Sequence, residues 1–286
     1  MIEGYAIDLG GTKTAVARVI AGRVDARLQA PTKGDATVSQ QIDVMAELLG
    51  KLGFQTGDKL GVAVAGRVDA AGRWQAVNAR TLSQIGGENL LESLRHRFGN
   101  NVSVMNDAAA AALAEAKLGA GKGVDHFAYL TVSTGVGGGI VLNGRPVQST
   151  NGLAGHLGFV SSPLGRDVCG SGRTGTVEST ASGRAIARAA ETADAKAAFE
   201  ADTPLARAAI DRSAAAIARL CADLNAIFGI DRVALGGSVG LAPGYLQRVL
   251  SNLETEPELF RVAVVPAALG HDSALLGVLL TKGEKE

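Results

Sequence analysis

Tyr5-Ala6-Ile7-Asp8-Leu9-Gly10-Gly11-Thr12-Lys13 and Thr131-Val132-Ser133-Thr134-Gly135-Val136-Gly137-Gly138-Gly139 decide how this chain is read. Each is an apolar, β-prone run that ends in a glycine-rich turn carrying hydroxyls. After the first, 14–20 is a second strand-like run, Ala21-Gly22 a hairpin turn and 23–28 a third run. The second copy has the same layout. Residues 126–133 form a strand, 135–139 a glycine turn and 140–142 a strand. Asn143-Gly144 is then the hairpin turn, with 145–148 continuing. Strand, glycine turn, strand, hairpin, strand thus recurs about 125 residues apart, which points to two similar halves.

Helical and strand patterns fill the space between. Residues 39–52 and 89–98 read as helices, the second stopping at Gly99, and 59–65 and 102–105 read as buried strands. Asn106-Asp107 opens an alanine-rich helix to about Leu118. Later, 166–175 is a glycine-rich loop, and Ser182 caps a helix running into the 190s. Ile210, Ala214, Ile217, Cys221, Leu224 and Phe228 recur at spacings of three and four on one helix face, and Gly229 stops that helix. Residues 232–235 form a strand feeding Gly236-Gly237, and 273–280 a closing helix.

A glycine pair after a strand lets backbone N–H groups approach phosphate oxygens. In the first element Thr12 adds a hydroxyl and Lys13 a charge, and Asp8 sits where a carboxylate can hold Mg²⁺. An ordinary β-turn is the plain alternative. The second element is neither a Walker loop nor a dinucleotide fingerprint. No Gly-Lys-Ser/Thr follows at the required spacing, and Ile140 occupies the position of the last fingerprint glycine. Gly236-Gly237 suits a flat base or ribose against backbone, and equally an ordinary strand-to-helix turn. Asn106-Asp107 suits an N-cap pair as well as a catalytic carboxylate.

Together these motifs resemble the actin/hexokinase-type ATPases. With Asn106-Asp107, Gly152-Leu153-Ala154-Gly155-His156-Leu157-Gly158, Cys169–Glu178 and Leu235-Gly236-Gly237-Ser238, the chain is similar over its whole length to the ROK family of sugar kinases, and within it to the bacterial N-acetylmannosamine kinases of sialic acid breakdown. The resemblance implies an α/β, two-lobed actin-like (ribonuclease H-like) fold with duplicated mixed sheets. The expected lobes are 1–117 plus 272–286 and 118–271, closing over a sugar held in the cleft. It implies ATP and Mg²⁺ as cofactors, with Asp8, Gly10, Gly11, Thr12, Lys13, Thr134, Gly135, Gly137, Gly138, Gly236 and Gly237 on the nucleotide and Asp8 on the metal. Asp107 would be the base that takes the proton of the sugar 6-hydroxyl. Gly66, Asn106, Asp107, His156 and Glu178 would contact the sugar. His156 stands where many relatives carry Glu. Without the resemblance, Glu178 is an acid well placed at a helix start.

One departure is marked. Most relatives hold a structural zinc with one His and three Cys, and the matching positions here are Phe159, Cys169, Ser171 and Thr176. One ligand of four survives, so zinc is expected to be absent.

Bulk features limit the other classes. Hydrophobic residues make up 47% of the 286, which favours a folded chain over disorder. Lys+Arg and Asp+Glu are both 28, without a dense basic cluster, so nucleic-acid binding is not expected. Two cysteines exclude a disulfide scaffold, and no signal peptide or apolar span is evident, which favours the cytoplasm. A homodimer is the expected assembly. Glucokinase and N-acetylglucosamine kinase are alternative activities. A non-catalytic sugar sensor or repressor is another, though the ATPase pattern starts at once and leaves no room for a helix-turn-helix. An actin-like filament protein would have no need of Asn106-Asp107 and His156.

Overall fold

The computed structural model describes residues 2–78 and 81–281. Its packing gathers the chain into two units. The first is Met1–Ala114, Val147–Ala154 and His271–Glu286, and the second is Glu115–Pro146 and Gly155–Gly270.

In the first unit β1 (Gly4–Leu9), β2 (Lys13–Ile20) and β3 (Arg23–Pro31) form an antiparallel meander. Helix α1 (Val38–Lys51) starts at a reciprocal capping box between Thr37 and Gln40. Strand β4 (Leu60–Val64) is buried throughout. A separate small sheet follows, of β5 (Arg67–Val68), β6 (Arg73–Gln75) and β7 (Gly86–Asn89). It seats Trp74, which is fully buried with its indole N–H donated to the Ala65 carbonyl, 2.8 Å away. Asn89 caps α2 (Leu90–Phe98), and β8 (Val102–Asn106) leads into α3 (Asp107–Leu118). The main sheet has the order β3-β2-β1-β4-β8, with β1, β4 and β8 parallel. Leu9, Val64 and Asn106 lie opposite one another in register. The segments after β1, β4 and β8 therefore emerge along a single sheet edge.

The second unit repeats this plan. Strands β9 (His126–Val132), β10 (Val136–Leu142) and β11 (Arg145–Pro146) form the meander, and β12 (Arg232–Gly236) and β13 (Ala263–Pro266) continue the sheet in parallel from β9. The order β11-β10-β9-β12-β13 matches that of the first sheet strand for strand. This is the duplicated mixed sheet of the actin-like ATPase fold. Its helices are α4 (Val177–Ala181), α5 (Gly183–Ala190), α6 (Ala195–Ala201), α7 (Pro204–Phe228), α8 (Gly237–Gly240) and α9 (Tyr245–Leu253). Helix α10 (Ser273–Val278) completes the first unit.

Some expectations need correction. The run 135–139 is not one turn: the turn is Ser133–Gly135, and β10 has begun by Val136, with Gly137 opposite Thr131 and Gly138 opposite Leu130. Gly138 is a glycine because the strand is crowded. A Cβ there would lie 2.7 Å from a Leu157 methyl and 2.8 Å from the Tyr129 carbonyl oxygen. The helix from Ser182 stops at Ala190 because Glu191 adopts a left-handed conformation, with φ 54°. The long helix starts earlier than its apolar stripe, at Pro204 behind the Thr203 cap.

Candidate active site

In the first unit the turn after β1 is closed by the Gly10 N–H donating to the Lys13 carbonyl at 2.9 Å. Thr12 and Lys13 are exposed, and the Thr12 carbonyl accepts from the Thr32 N–H. Asp8 is half-buried at the strand end. Burial pushes its carboxyl up from 3.8 to about 6, against the opposing charges of Arg27 and His271. Arg27 itself is bonded to Asp272 and the His271 carbonyl, so it acts on Asp8 through space. A partly desolvated carboxylate beside a glycine turn fits a cation, and Asp8 is chemically suited to Mg²⁺.

Asn106-Asp107 lies at the same sheet edge. The Asn106 side chain is fully organised. Its Oδ1 accepts from the Ala109 N–H at 2.9 Å, while its Nδ2 donates to the Gly66 carbonyl and to Asp107 Oδ1, both at 2.9 Å. Asn106 thus performs the N-cap role at the start of α3. Both amide hydrogens of Asn106 are committed, which leaves a ligand only the second lone pair of Oδ1. Asp107 Oδ1 also takes the Ala108 N–H at 2.8 Å, so these two bonds fall on the same carboxylate oxygen. Burial first, and then the charge of Asp8, push this carboxyl up to about 7, although the bonds from Ala108 and Asn106 favour its charged form. Gly66 has φ 101°, and a Cβ would sit 2.6 Å from the Gln75 carbonyl oxygen. Its glycine is thus required by β6, and its carbonyl serves Asn106.

The second unit holds the remaining candidates. The carbonyls of Ser133 and Thr134 are held by the Gly183 and Arg184 N–H groups at the start of α5. Glu178 lays its carboxylate against the same turn. Oε2 accepts from the Val136 N–H at 3.1 Å and Oε1 from the Gly170 N–H at 3.3 Å. Burial raises the Glu178 pKa. Of the glycines assigned to nucleotide, Gly135 lies in the turn, whereas the backbone of Gly137 and Gly138 belongs to the β9–β10 ladder. Gly236 and Gly237 sit where β12 meets α8, and they too are explained by packing. Cβ atoms there would lie 2.6 Å from the Tyr129 hydroxyl and 2.3 Å from the Val132 carbonyl oxygen. The Ser133 and Ser238 hydroxyls, 3.1 Å apart, link the two turns. His156 is half-buried and stacks on Phe159, with ring centroids 6.0 Å apart and planes at 22°.

A carboxylate poised near neutrality, beside an acid suited to metal and a glycine turn, is the equipment of phosphoryl transfer to an alcohol. The ROK family model matches residues 4–283. The chain belongs to the ROK family. It is 38% identical to an N-acetylmannosamine kinase of Pasteurella multocida (strain Pm70) over 95% of this chain and 93% of that protein. Among solved structures it is similar to a ROK hexokinase from Thermus thermophilus, with TM-score 0.81, 29% identity and 96% of each chain covered. It is also similar to a ROK family glucokinase from Streptomyces griseus in complex with glucose and AMPPNP, with TM-score 0.81, 26% identity and coverage of 97% of this chain and 98% of that one.

This ROK chain does not present the donors of a closed zinc site at the matching positions. Phe159 offers a ring engaged with His156, and Cys169 Sγ lies 3.0 Å from Ser171 Oγ. Thr176 is buried, and its hydroxyl caps α4 by accepting from the Ser179 N–H. Among the described residues there is no group of three His, Cys, Asp or Glu side chains arranged for a metal. Cys221 is fully buried in α7 with its thiol pushed up to about 12, the state of an inert core residue. Arg67 and Gln75 escape a reading of the sequence. No local pattern marks them: Arg67 bonds to Gln75 across β5 and β6 and to Asn151 in a loop more than eighty residues away.

Proposed function

We propose that this chain is an ATP-dependent kinase that phosphorylates the 6-hydroxyl of N-acetylmannosamine, as in sialic acid breakdown. The observation that carries the reading is Asp107. Its carboxyl is raised to about 7 and held by Asn106 and the start of α3, on the sheet edge shared with the Asp8 turn. A base titrating near neutrality is about half ionised near neutral pH yet basic enough to take a proton from an alcohol. A protein that only sensed sugars would gain nothing from that penalty.

In the proposed reaction, O6 of the sugar forms a bond to the γ-phosphorus of ATP. Its proton passes to the Asp107 carboxylate, and the bond to the ADP oxygen breaks. Asp8 would hold Mg²⁺, which neutralises charge on the phosphates when bound. The Gly10-Gly11-Thr12-Lys13 and Thr134-Gly135 turns, with Gly137, Gly138, Gly236 and Gly237 behind them, would serve ATP. Asn106 and Asp107, with His156 and Glu178 of the second unit, would serve the sugar, and Gly66 would act through its hold on Asn106. Lobes of about 1–117 plus 272–286 and 118–271, with the 147–154 loop returned to the first, a homodimer, a cytoplasmic location and independence from zinc belong to the same proposal. Among the described residues no helix is long and apolar enough to cross a membrane.

The choice of sugar is supported by His156 and by the relatives named N-acetylmannosamine kinase at 36–38% identity. A coupled ADP-release assay against N-acetylmannosamine, N-acetylglucosamine, mannose and glucose tests it. N-acetylmannosamine should give the highest specificity constant. A higher value for glucose would replace this reading by a glucokinase, and ADP release with no sugar would refute the kinase assignment.

A further inference from the structure

Arg67 sits one residue beyond Gly66, whose carbonyl orients Asn106. Its guanidinium is a fork with both prongs in use. Nε and Nη2 grip Gln75 Oε1 at 2.9 and 2.6 Å, and Nη1 donates to the Asn151 carbonyl. Gln75 thereby fixes the plane of the guanidinium along one edge, and a planar group so held positions its second partner, Asn151, sharply.

That partner belongs to a closely built loop. Asn151 Oδ1 accepts from the Ser149 hydroxyl and the Leu153 N–H, and Ser149 Oγ accepts from the Ala154 N–H. The Thr150 carbonyl accepts from the Ala70 N–H at 3.1 Å. Gly152, with φ 71°, passes so close to the chain that a Cβ would fall 2.2 Å from the Val68 carbonyl oxygen. This explains why Val147–Ala154 packs with the first unit although the chain on either side of it belongs to the second. Directly after Ala154 come Gly155 and His156.

We infer that Arg67 is a positioning residue for sugar recognition: its fork pins the Ser149–Ala154 loop, which delivers the chain to His156, while its neighbour Gly66 holds Asn106 beside Asp107. One dipeptide thus sets the residue that feeds the base and the loop that leads to the specificity residue. The inference rests on the sugar-kinase reading above. None of these contacts involves a residue assigned to ATP or Mg²⁺, so the effect should be confined to the sugar.

The test uses the full chain with Arg67→Ala, Arg67→Lys and Gln75→Leu. Arg67→Ala should raise KM for N-acetylmannosamine by about tenfold and lower its preference over glucose, with KM for ATP unchanged within about twofold. Arg67→Lys should recover only part of the loss, because an ammonium cannot span both acceptors. Gln75→Leu should act in the same direction, and it decides the matter if Arg67→Ala does not fold. Hydrogen exchange without any substrate gives an independent reading: the amides of 152–154 and Ala70 should lose protection in Arg67→Ala. Deprotected amides with an unchanged sugar KM would overturn the link to recognition. Unchanged amide protection would overturn the anchor itself. Parallel rises in both KM values would show a general structural role and overturn the proposal. Wild-type protein that phosphorylates no sugar would instead remove the functional reading on which the proposal stands, whatever the exchange data show.

Discussion

Replacing Asp107 by Asn separates catalysis from folding. The substitution keeps the shape of the group, and an amide oxygen can still accept from the Ala108 N–H and Asn106 Nδ2, so the start of α3 should stand. What disappears is the proposed base. Turnover should fall roughly 10²–10⁴-fold, about 3–5 kcal/mol of barrier, with a much smaller change in sugar binding. Stability should move the other way. The rise from 3.8 to about 7 means that the native fold disfavours the ionised Asp107 by about 4 kcal/mol at pH well above 7. The folded pKa lies above the unfolded one. The penalty is therefore absent below about pH 4, grows as pH rises towards 7 and is complete beyond it. A neutral amide carries no such penalty, so the Asp107→Asn variant should melt several degrees above wild type at pH 8 and close to it at pH 4.5, measured without Mg²⁺. In the wild type kcat/KM should climb with pH to a plateau set by a group near 7, and bound Mg²⁺ should shift that limb to lower pH by offsetting the charge of Asp8. Paired calorimetry and steady-state kinetics on both proteins suffice. Near-normal turnover in Asp107→Asn would refute the assignment of the base, and identical melting temperatures at pH 8 would refute the desolvated carboxylate.

Two further expectations concern the second unit. His156→Glu should narrow the preference for N-acetylmannosamine over glucose by roughly 10–100-fold, read as a ratio of specificity constants, whereas an unchanged ratio would show that this side chain does not choose the sugar. Elemental analysis should find far less than one zinc per chain, and activity should survive a strong chelator once Mg²⁺ is restored. Stoichiometric zinc whose removal abolishes activity would show that the pairing of Phe159, Cys169, Ser171 and Thr176 with the family's ligands is wrong.

The duplicated sheet is legible in the sequence because its signals are local. Apolar alternation, Ala21-Gly22 and Asn143-Gly144 each specify their own geometry, and the two sheets share one strand order. The helix stops marked by Gly99 and Gly229 are set by short-range chemistry of the same kind. Glycine is the ambiguous letter. At Gly138, Gly236 and Gly237 the missing side chain suggests room for a ligand, but the structure fills that room with Leu157, Tyr129 and Val132. For Asn106 the sequence offers an N-cap or a sugar contact, whereas in the folded chain its amide also donates to Gly66 and Asp107. Arg67 is silent there because its meaning depends on Asn151, which only the folded chain brings to it.

The most direct measurement is a competition. N-acetylmannosamine and glucose at equal concentration are incubated with the purified protein, ATP and Mg²⁺, and the products are followed by phosphorus–proton correlation NMR. Expected is N-acetylmannosamine 6-phosphate as the main product, with one ADP formed per phosphate transferred. Predominant glucose 6-phosphate, phosphate on any other oxygen, or release of inorganic phosphate alone would contradict the assignment.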